Sequence, residues 1–447
     1  MLGLLALPRE ILHRIFSFAD QKSRKELRLA SGLLGEIGQT WVFQTARISP
    51  VKKNWRRFQE ILDHPDLAAS ITKIYLDTVT PEDDNRYYTE DNESKEGEEG
   101  TEQGDEGEEY HDQEMALPRH FWRHVNRLRE FPRLQSVVLR FHPECDGEDD
   151  SWHDVVQDIP FRSAVMRKSM AVLAALPRRP QELAIQDLQN INPKDPVVVA
   201  NLTKLLGGIK SLRLNIANQL DEGNGENDVE REAVHEFFPS LSLFWLTPAA
   251  ANLQHLTIYS SIYFGFYPKF DLRGVHFPQL KTLALGNHTF VHDSQLDWIL
   301  SHGVTLEELY LDDCPILFEV AIYDKNRTLL DPSDLKSHPR LTGKSHASYG
   351  TRWHDYFQAF KERLPHLQHF RFGHCPHWWV DDTTPFEKET TIDIGFHENY
   401  MVFCDGYGPS QYMGNMIYDE DGDGEPLEPS EEDKTALREL LAKLGQL

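Results

Sequence analysis

The 447-residue sequence predicts an α/β (α+β) chain in three parts: a helical module over 1–50, an irregular strand-and-helix solenoid over 51–399, and a C-terminal cap over 400–447. Three observations predict it. The first fifty residues carry apolar positions at helical spacing, a pattern L-x-x-L-x-L recurs along the middle of the chain, and a helical stripe closes the C-terminus.

The N-terminal module begins at Pro8, which suits the first turn of a helix because its φ is preset and its missing N–H has no intrahelical partner there. Ile11, Leu12, Ile15 and Phe16 then form one apolar stripe, with Arg9, Glu10, His13 and Arg14 opposite. Ser23 with Glu26 reads as the capping box of a second helix that carries Leu27, Leu29, Leu33, Leu34 and Ile37. With Leu4, Leu5 and Leu7, this is more apolar surface than so short a segment buries by itself. Two readings follow: a subdomain packed on the next domain, or a docking face for another protein.

The run LxxLPxEILxxIFSxxD from Leu4 to Asp20, followed by Leu27, Arg28, Leu29 and Ser31, resembles an F-box. Gly32-Leu33-Leu34 stands where the family commonly has a basic residue and Trp, and Trp41 comes later. The resemblance implies docking on a Skp-type adaptor, and through it on cullin, with Leu7, Pro8, Ile11, Leu12, Ile15, Phe16, Leu27 and Leu29 as the adaptor-binding residues.

The repeat pattern appears at Ile71/Ile74/Leu76, Leu134/Val137/Leu139, Ile209/Leu212/Leu214, Leu253/Leu256/Ile258, Leu280/Leu283/Leu285, Leu306/Leu309/Leu311 and Leu367/Phe370/Phe372, with a weaker copy at Leu183/Ile185. Leu253, Leu280 and Leu306 are 27 and 26 residues apart, within the leucine-rich-repeat range. Helical stripes lie between the strands, such as Leu296, Ile299 and Leu300, or Trp353, Phe357, Phe360 and Leu364. One strand and one helix cannot bury their own faces, so such units stack.

Residues 81–114 hold 16 acidic residues against Arg86 and Lys95, with little to bury, and predict a disordered insertion; 221–228 reads the same way. Near the end, Tyr400–Tyr412 reads as a strand and Gly/Pro turn, and Leu437, Leu440, Leu441 and Leu444 share a helical face. Phe403, Asp405, Gly406, Gly408, Pro409, Ser410, Tyr412 and Ala436 to Leu441 are similar to the end of a group of fungal F-box proteins with degenerate repeats. That resemblance implies a cap on the last repeat, where core and strand edge would otherwise be exposed.

The formal charge of −26 argues against nonspecific nucleic-acid binding, which needs basic surface. Cys145, Cys314, Cys375 and Cys404 are far apart and predict free thiols. No stretch reads as a signal peptide or membrane span, so the expected compartment is cytoplasm or nucleus, with no membrane partner.

Motifs for chemistry are incomplete. Thr342-Gly343-Lys344-Ser345 lacks the first glycine of a phosphate loop, since His338 stands there. His235-Glu236 and His397-Glu398 lack the second histidine of a zinc-protease helix, with Pro239 and Met401 in its place. His374, Cys375 and His377 give no closed ligand set, and Asp419, Asp421, Asp423 and Gly424 open a calcium loop that Ser430 leaves without its last carboxylate. The sequence therefore predicts no cofactor, no metal and no catalytic set. The candidate target contacts are strand residues between the buried leucines: Arg213, His255, Tyr259, Tyr310, Asp312 and Arg371. The expected function is the substrate-recognition subunit of an SCF-type ubiquitin ligase, holding an unknown protein substrate. The alternatives are an adaptor-bound scaffold outside ubiquitin transfer, and an enzyme on an α/β domain.

Overall fold

A computed structural model describes residues 4–79, 117–145, 157–218, 232–323, 328–338, 341–375, 386–404, 408–410 and 427–447. The side chains of 52 and 53 are outside that description, as are the acidic stretch 81–114, the loop 221–228, His377, Asp405, Gly406, Tyr412 and the calcium-like run from Asp419 to Gly424. The chain forms two units, Met1–His142 with Asp146–Pro180, and Pro143–Cys145 with Gln181–Leu447.

The first unit opens with three helices, α1 (Arg9–Phe18), α2 (Gln21–Ala30) and α3 (Gly32–Val42). The second helix starts earlier than the sequence pattern predicts. Asp20 caps it, accepting from the Ser23 N–H at 2.8 Å and the Ser23 hydroxyl at 2.9 Å. A carboxylate there also meets the positive end of the helix dipole, so Asp20 takes the cap and Ser23 falls inside the first turn. The apolar run breaks at Ser31, whose extended backbone and hydroxyl cap α3 through the Leu34 N–H at 3.2 Å. Arg24 closes the C-terminal end of α1, donating to the Phe16 carbonyl at 2.8 Å and the Ser17 carbonyl at 3.0 Å.

The chain continues through β1 (Thr45–Ile48), α4 (Lys52–Leu62), α5 (Pro65–Ala68), β2 (Lys73–Asp77), α6 (Arg119–Val125), β3 (Ser136–Arg140) and α7 (Ile159–Ala175). β1, β2 and β3 are parallel neighbours, and Ile74 and Leu76 pair with Val137 and Leu139. Parallel strands need a crossover long enough for a helix, which α4 with α5 supplies between β1 and β2.

The second unit begins β4 (Glu182–Gln189), α8 (Pro196–Leu206), β5 (Ser211–Ala217), α9 (Glu232–Leu241), β6 (His255–Phe264), β7 (Thr282–His288), α10 (Asp293–Leu300) and β8 (Glu308–Asp312). The leucines of the repeat pattern stack in register: Leu183, Leu212, Leu256, Leu283 and Leu309 form one row, and Ile185, Leu214, Ile258, Leu285 and Leu311 the next. One backbone step recurs between these units. Two successive N–H groups of each incoming strand donate to one carbonyl of the previous unit, at Gln181, Lys210, Gln254 and Lys281. The expected helix is missing between β6 and β7, where Gly265, Pro268, Gly274 and Pro278 interrupt any helical run.

After β8 the chain leaves this row and builds β9 (Ile316–Tyr323), β10 (Lys336–Ser337) and β11 (Lys344–Ser348). It returns through α11 (Trp353–Arg363) to β12 (His369–His374), which pairs in parallel with β8. Then follow β13 (Asp393–Ile394), β14 (Tyr400–Cys404), β15 (Gly408–Ser410) and α12 (Glu431–Leu444). The strand Tyr400–Cys404 runs parallel to β9, in a second sheet ordered β10-β11-β9-β14-β15. The Thr342-Gly343-Lys344-Ser345 run lies at the start of β11, with Gly343 at φ 76°, a turn and not a phosphate loop. The edge of β12 is closed by other groups: β13 pairs with it antiparallel, and Gln446 exchanges bonds with the Phe370 N–H at 2.8 Å and carbonyl at 3.0 Å. Leu437, Leu440 and Leu441 of α12 are buried. All four cysteines are buried, and none forms a disulfide.

Candidate functional site

The helical module divides its apolar stripe between inside and outside. Leu12 and Phe16 are buried with Leu34 and Ile37, and Ile15, Leu27, Leu33 and Trp41 pack partly against them. Gly38 permits this packing, because a Cβ there would stand 2.9 Å from the Phe16 ring. Trp41 Nε1 donates to His13 Nδ1 at 3.0 Å, and Arg9 makes two bonds to Glu36 at 3.2 and 3.1 Å. Leu12 and Phe16 thus lie in the core of the module in this chain on its own. At i, i+4 they form the half of the stripe that α3 covers.

The other half faces solvent. Ile11 is 43% exposed, Phe18 80% and Leu29 82%, beside exposed Leu4, Leu5, Leu7 and Pro8. A module with a closed core and this many outward apolar side chains has surface to spare for a partner.

The strand face in the second unit is arranged in rows. Register places Arg213, Thr257, Ala284, Tyr310 and Arg371 side by side across five strands. The next row is Asn215, Tyr259, Gly286, Asp312 and Gly373. Gly286 has a packing role, since a Cβ there would lie 2.1 Å from the Tyr259 ring.

These candidates for target contact are already engaged within the chain. The segment from Phe386 to Ile394 lies over them. Glu389 takes hydrogen bonds from Thr257 Oγ1 at 2.8 Å and His255 Nε2 at 3.0 Å, and a close ion pair from Arg213. Arg213 also donates to the Phe386 carbonyl at 2.9 Å, and Arg371 to the Ile392 carbonyl at 3.2 Å. Ile392 is buried in one cluster with Tyr259, Ala284 and Tyr310. All six candidates are thus engaged within this chain: Tyr259, Tyr310 and Asp312 are buried, while Arg213, His255 and Arg371 are half-buried. Glu389 neutralises Arg213, and Ile392 packs on the tyrosines.

Electrostatics agree with that closure. Burial alone would raise the Glu389 carboxyl; the His255 hydrogen bond and the Arg213 charge outweigh it and hold the group at about 2. Asp312 is pushed up to about 8 by burial and by neighbouring Asp313, against hydrogen bonds from the Cys375 N–H and the Tyr259 side chain. Burial likewise raises Tyr259 and Tyr310. Glu389 carries no local motif that marks it among 72 acidic residues. The signal lies on the opposite side: a cation, Arg213, and a histidine, His255, stand on the same face of two neighbouring parallel strands and call for an acid between them.

Against known proteins, no family model matches the chain. It is similar to an F-box/LRR-repeat protein of Arabidopsis thaliana, 33% identical over 113 residues, which is 25% of this chain and 28% of that protein. The chain thus matches well under a third of that relative's length. The likeness extends to F-box and leucine-rich-repeat proteins as a group and no further.

Proposed function

We propose that the chain is a receptor subunit of an SCF-type ubiquitin ligase, with residues 4–42 as an F-box that docks on a Skp-type adaptor. The stacked strand units are read as a degenerate leucine-rich-repeat solenoid that holds a protein target. The observation that carries this reading is the exposed apolar face of a helical module whose own core is complete: Leu4, Leu5, Leu7, Ile11, Phe18 and Leu29. The likeness to a plant F-box/LRR-repeat protein supports the same direction. On this reading the chain performs no chemistry; it raises a target's effective concentration beside the transferring subunit. Its workplace is then the cytoplasm or nucleus. Among the described residues no helix is long and apolar enough to cross a membrane.

The test separates face from core. Leu7 and Ile11 are 37% and 43% exposed, so burying what remains against an adaptor contributes about 0.5–1.3 kcal/mol each, and losing both apolar contacts weakens binding roughly 10–50-fold before the cost of burying the introduced carboxylates. Leu7→Asp with Ile11→Asp abolishes adaptor co-purification and leaves the far-ultraviolet dichroism and thermal midpoint unchanged. Adaptor retained by that double variant would overturn the docking assignment.

A further inference from the structure

At the C-terminal ends of two neighbouring parallel strands, three side chains from distant loops meet. Asp313 directly follows β8, His374 is the last residue of β12, and His397 lies in the turn before β14. His374 Nδ1 is 2.6 Å from Asp313 Oδ2, and His397 Nδ1 is 3.3 Å from Asp313 Oδ1. The imidazoles stack with centroids 4.4 Å apart and planes at 23°. One ligand atom from each of the three residues lies within 4.8 Å of the other two.

The backbone holds the group in place. Asp313 has φ 45°, in the left-handed region that aspartate and asparagine tolerate better than most residues. Its N–H donates to the Gly373 carbonyl at 2.9 Å, fixing Asp313 against the residue before His374. The sequence motifs single out both histidines but give each the wrong partners. Cys375, next to His374, is buried, and its N–H donates to Asp312 at 2.9 Å. His397 finds its partner across 84 residues.

We propose that Asp313, His374 and His397 bind a divalent transition-metal ion of the zinc class. Two imidazole nitrogens and one carboxylate oxygen form a borderline donor set that suits zinc, whereas calcium and magnesium select oxygen-only shells. Metal–ligand distances of about 2.0–2.2 Å place donor atoms roughly 3–3.5 Å apart, which side-chain rotation reaches from the present spacing. The side chains are 37%, 22% and 51% exposed for His374, Asp313 and His397, so the site opens to solvent and water completes the shell. Bound there, the ion ties the main strand row to the loop that leads into the second sheet. This assignment does not depend on the receptor reading.

The experiment titrates the metal-free full chain with zinc chloride against a chromophoric chelator, followed by cobalt(II) and its visible spectrum. The wild-type chain binds one zinc equivalent that survives the competition, shows cobalt ligand-field bands of low coordination number, and gains thermal midpoint with zinc. His374→Gln with His397→Gln weakens that equivalent at least tenfold and abolishes both the bands and the midpoint gain. Asp313→Asn, which keeps the backbone conformation and removes the charge, also weakens it at least tenfold and serves should the double variant not fold. His366→Gln, at an exposed histidine elsewhere, leaves binding unchanged. Equal affinity in the wild type and the site variants, or no competed equivalent in the wild type, overturns the site and leaves a hydrogen-bonded His–Asp–His group.

Discussion

Glu389→Gln tests whether the strand face is held shut by charge. The carboxylate is buried and accepts from Thr257, His255 and Arg213. Its carboxyl is held at about 2, against an ordinary 4.5. That difference corresponds to about 3 kcal/mol of folded-state stabilisation at neutral pH. Breaking a buried pair by removing one partner independently gives about 3–5 kcal/mol. The sign is that of a depressed acid: the contribution is complete above about pH 4.5 and disappears as pH falls toward 2. In a unit of this size, about 3 kcal/mol lowers the thermal midpoint by roughly 6–12 °C. The assay is thermal and urea unfolding at pH 7 of wild type, Glu389→Gln, Arg213→Met and the double variant. The single changes destabilise, and the double variant recovers a coupling of about 2–3 kcal/mol. A midpoint shift under about 2 °C for Glu389→Gln, or strict additivity in the cycle, refutes the reasoning.

Two further outcomes are expected. Leu12→Ala creates a cavity beneath Phe16 and destabilises the helical module by about 2–5 kcal/mol, read as early loss of helical dichroism on heating; an unchanged module would place Leu12 at the surface after all. Burial holds His124 and His302 at about 4 and His288 at about 3, so each stays neutral in the folded chain while its unfolded counterpart protonates below about 6.5. Stability is therefore intact above pH 6.5 and falls by up to about 1.4 kcal/mol per histidine for each further pH unit, measured as the urea midpoint from pH 7 to 5; a flat profile contradicts their burial as neutral rings.

The strands were legible because their signal is local and repeated. A leucine row survives only if each strand pairs in the same register, so L-x-x-L-x-L predicts both the strand and its neighbour's alignment, as Leu256 against Leu283 and Leu283 against Leu309 show. The second sheet was not legible. Ile316–Tyr323 reads as a strand, but its parallel partner Tyr400–Cys404 lies some eighty residues on, and nothing local joins them. In the helical module the stripe was visible but not its division. Ile11 and Leu12 are adjacent and equally apolar, and it is the packing of α3 on the Leu12/Phe16 side, with Gly38 against the Phe16 ring, that covers one and leaves the other exposed. The same limit hid the site chemistry: Glu389 and Asp313 matter through residues 132 and 61 positions away.

The closed strand face bears on how a target would be held. If opening that face forfeits the Glu389 contacts, the open form loses about 3 kcal/mol of carboxylate stabilisation at neutral pH, which corresponds to a population on the order of 1%. A ligand selecting the open form then binds on the order of 10²-fold more weakly than its contacts alone provide. Leu29 and Ile11 carry no such penalty, because they are exposed in the resting chain. The two faces are thus unequal. On the proposed reading, the exposed apolar residues of the helical module need no rearrangement to meet an adaptor, whereas Arg213, His255 and Arg371 would meet a partner only by displacing the segment over them. If the proposed receptor reading holds, recognition of a target by the second unit favours surfaces outside this face, or a partner whose own acid replaces Glu389 between Arg213 and His255.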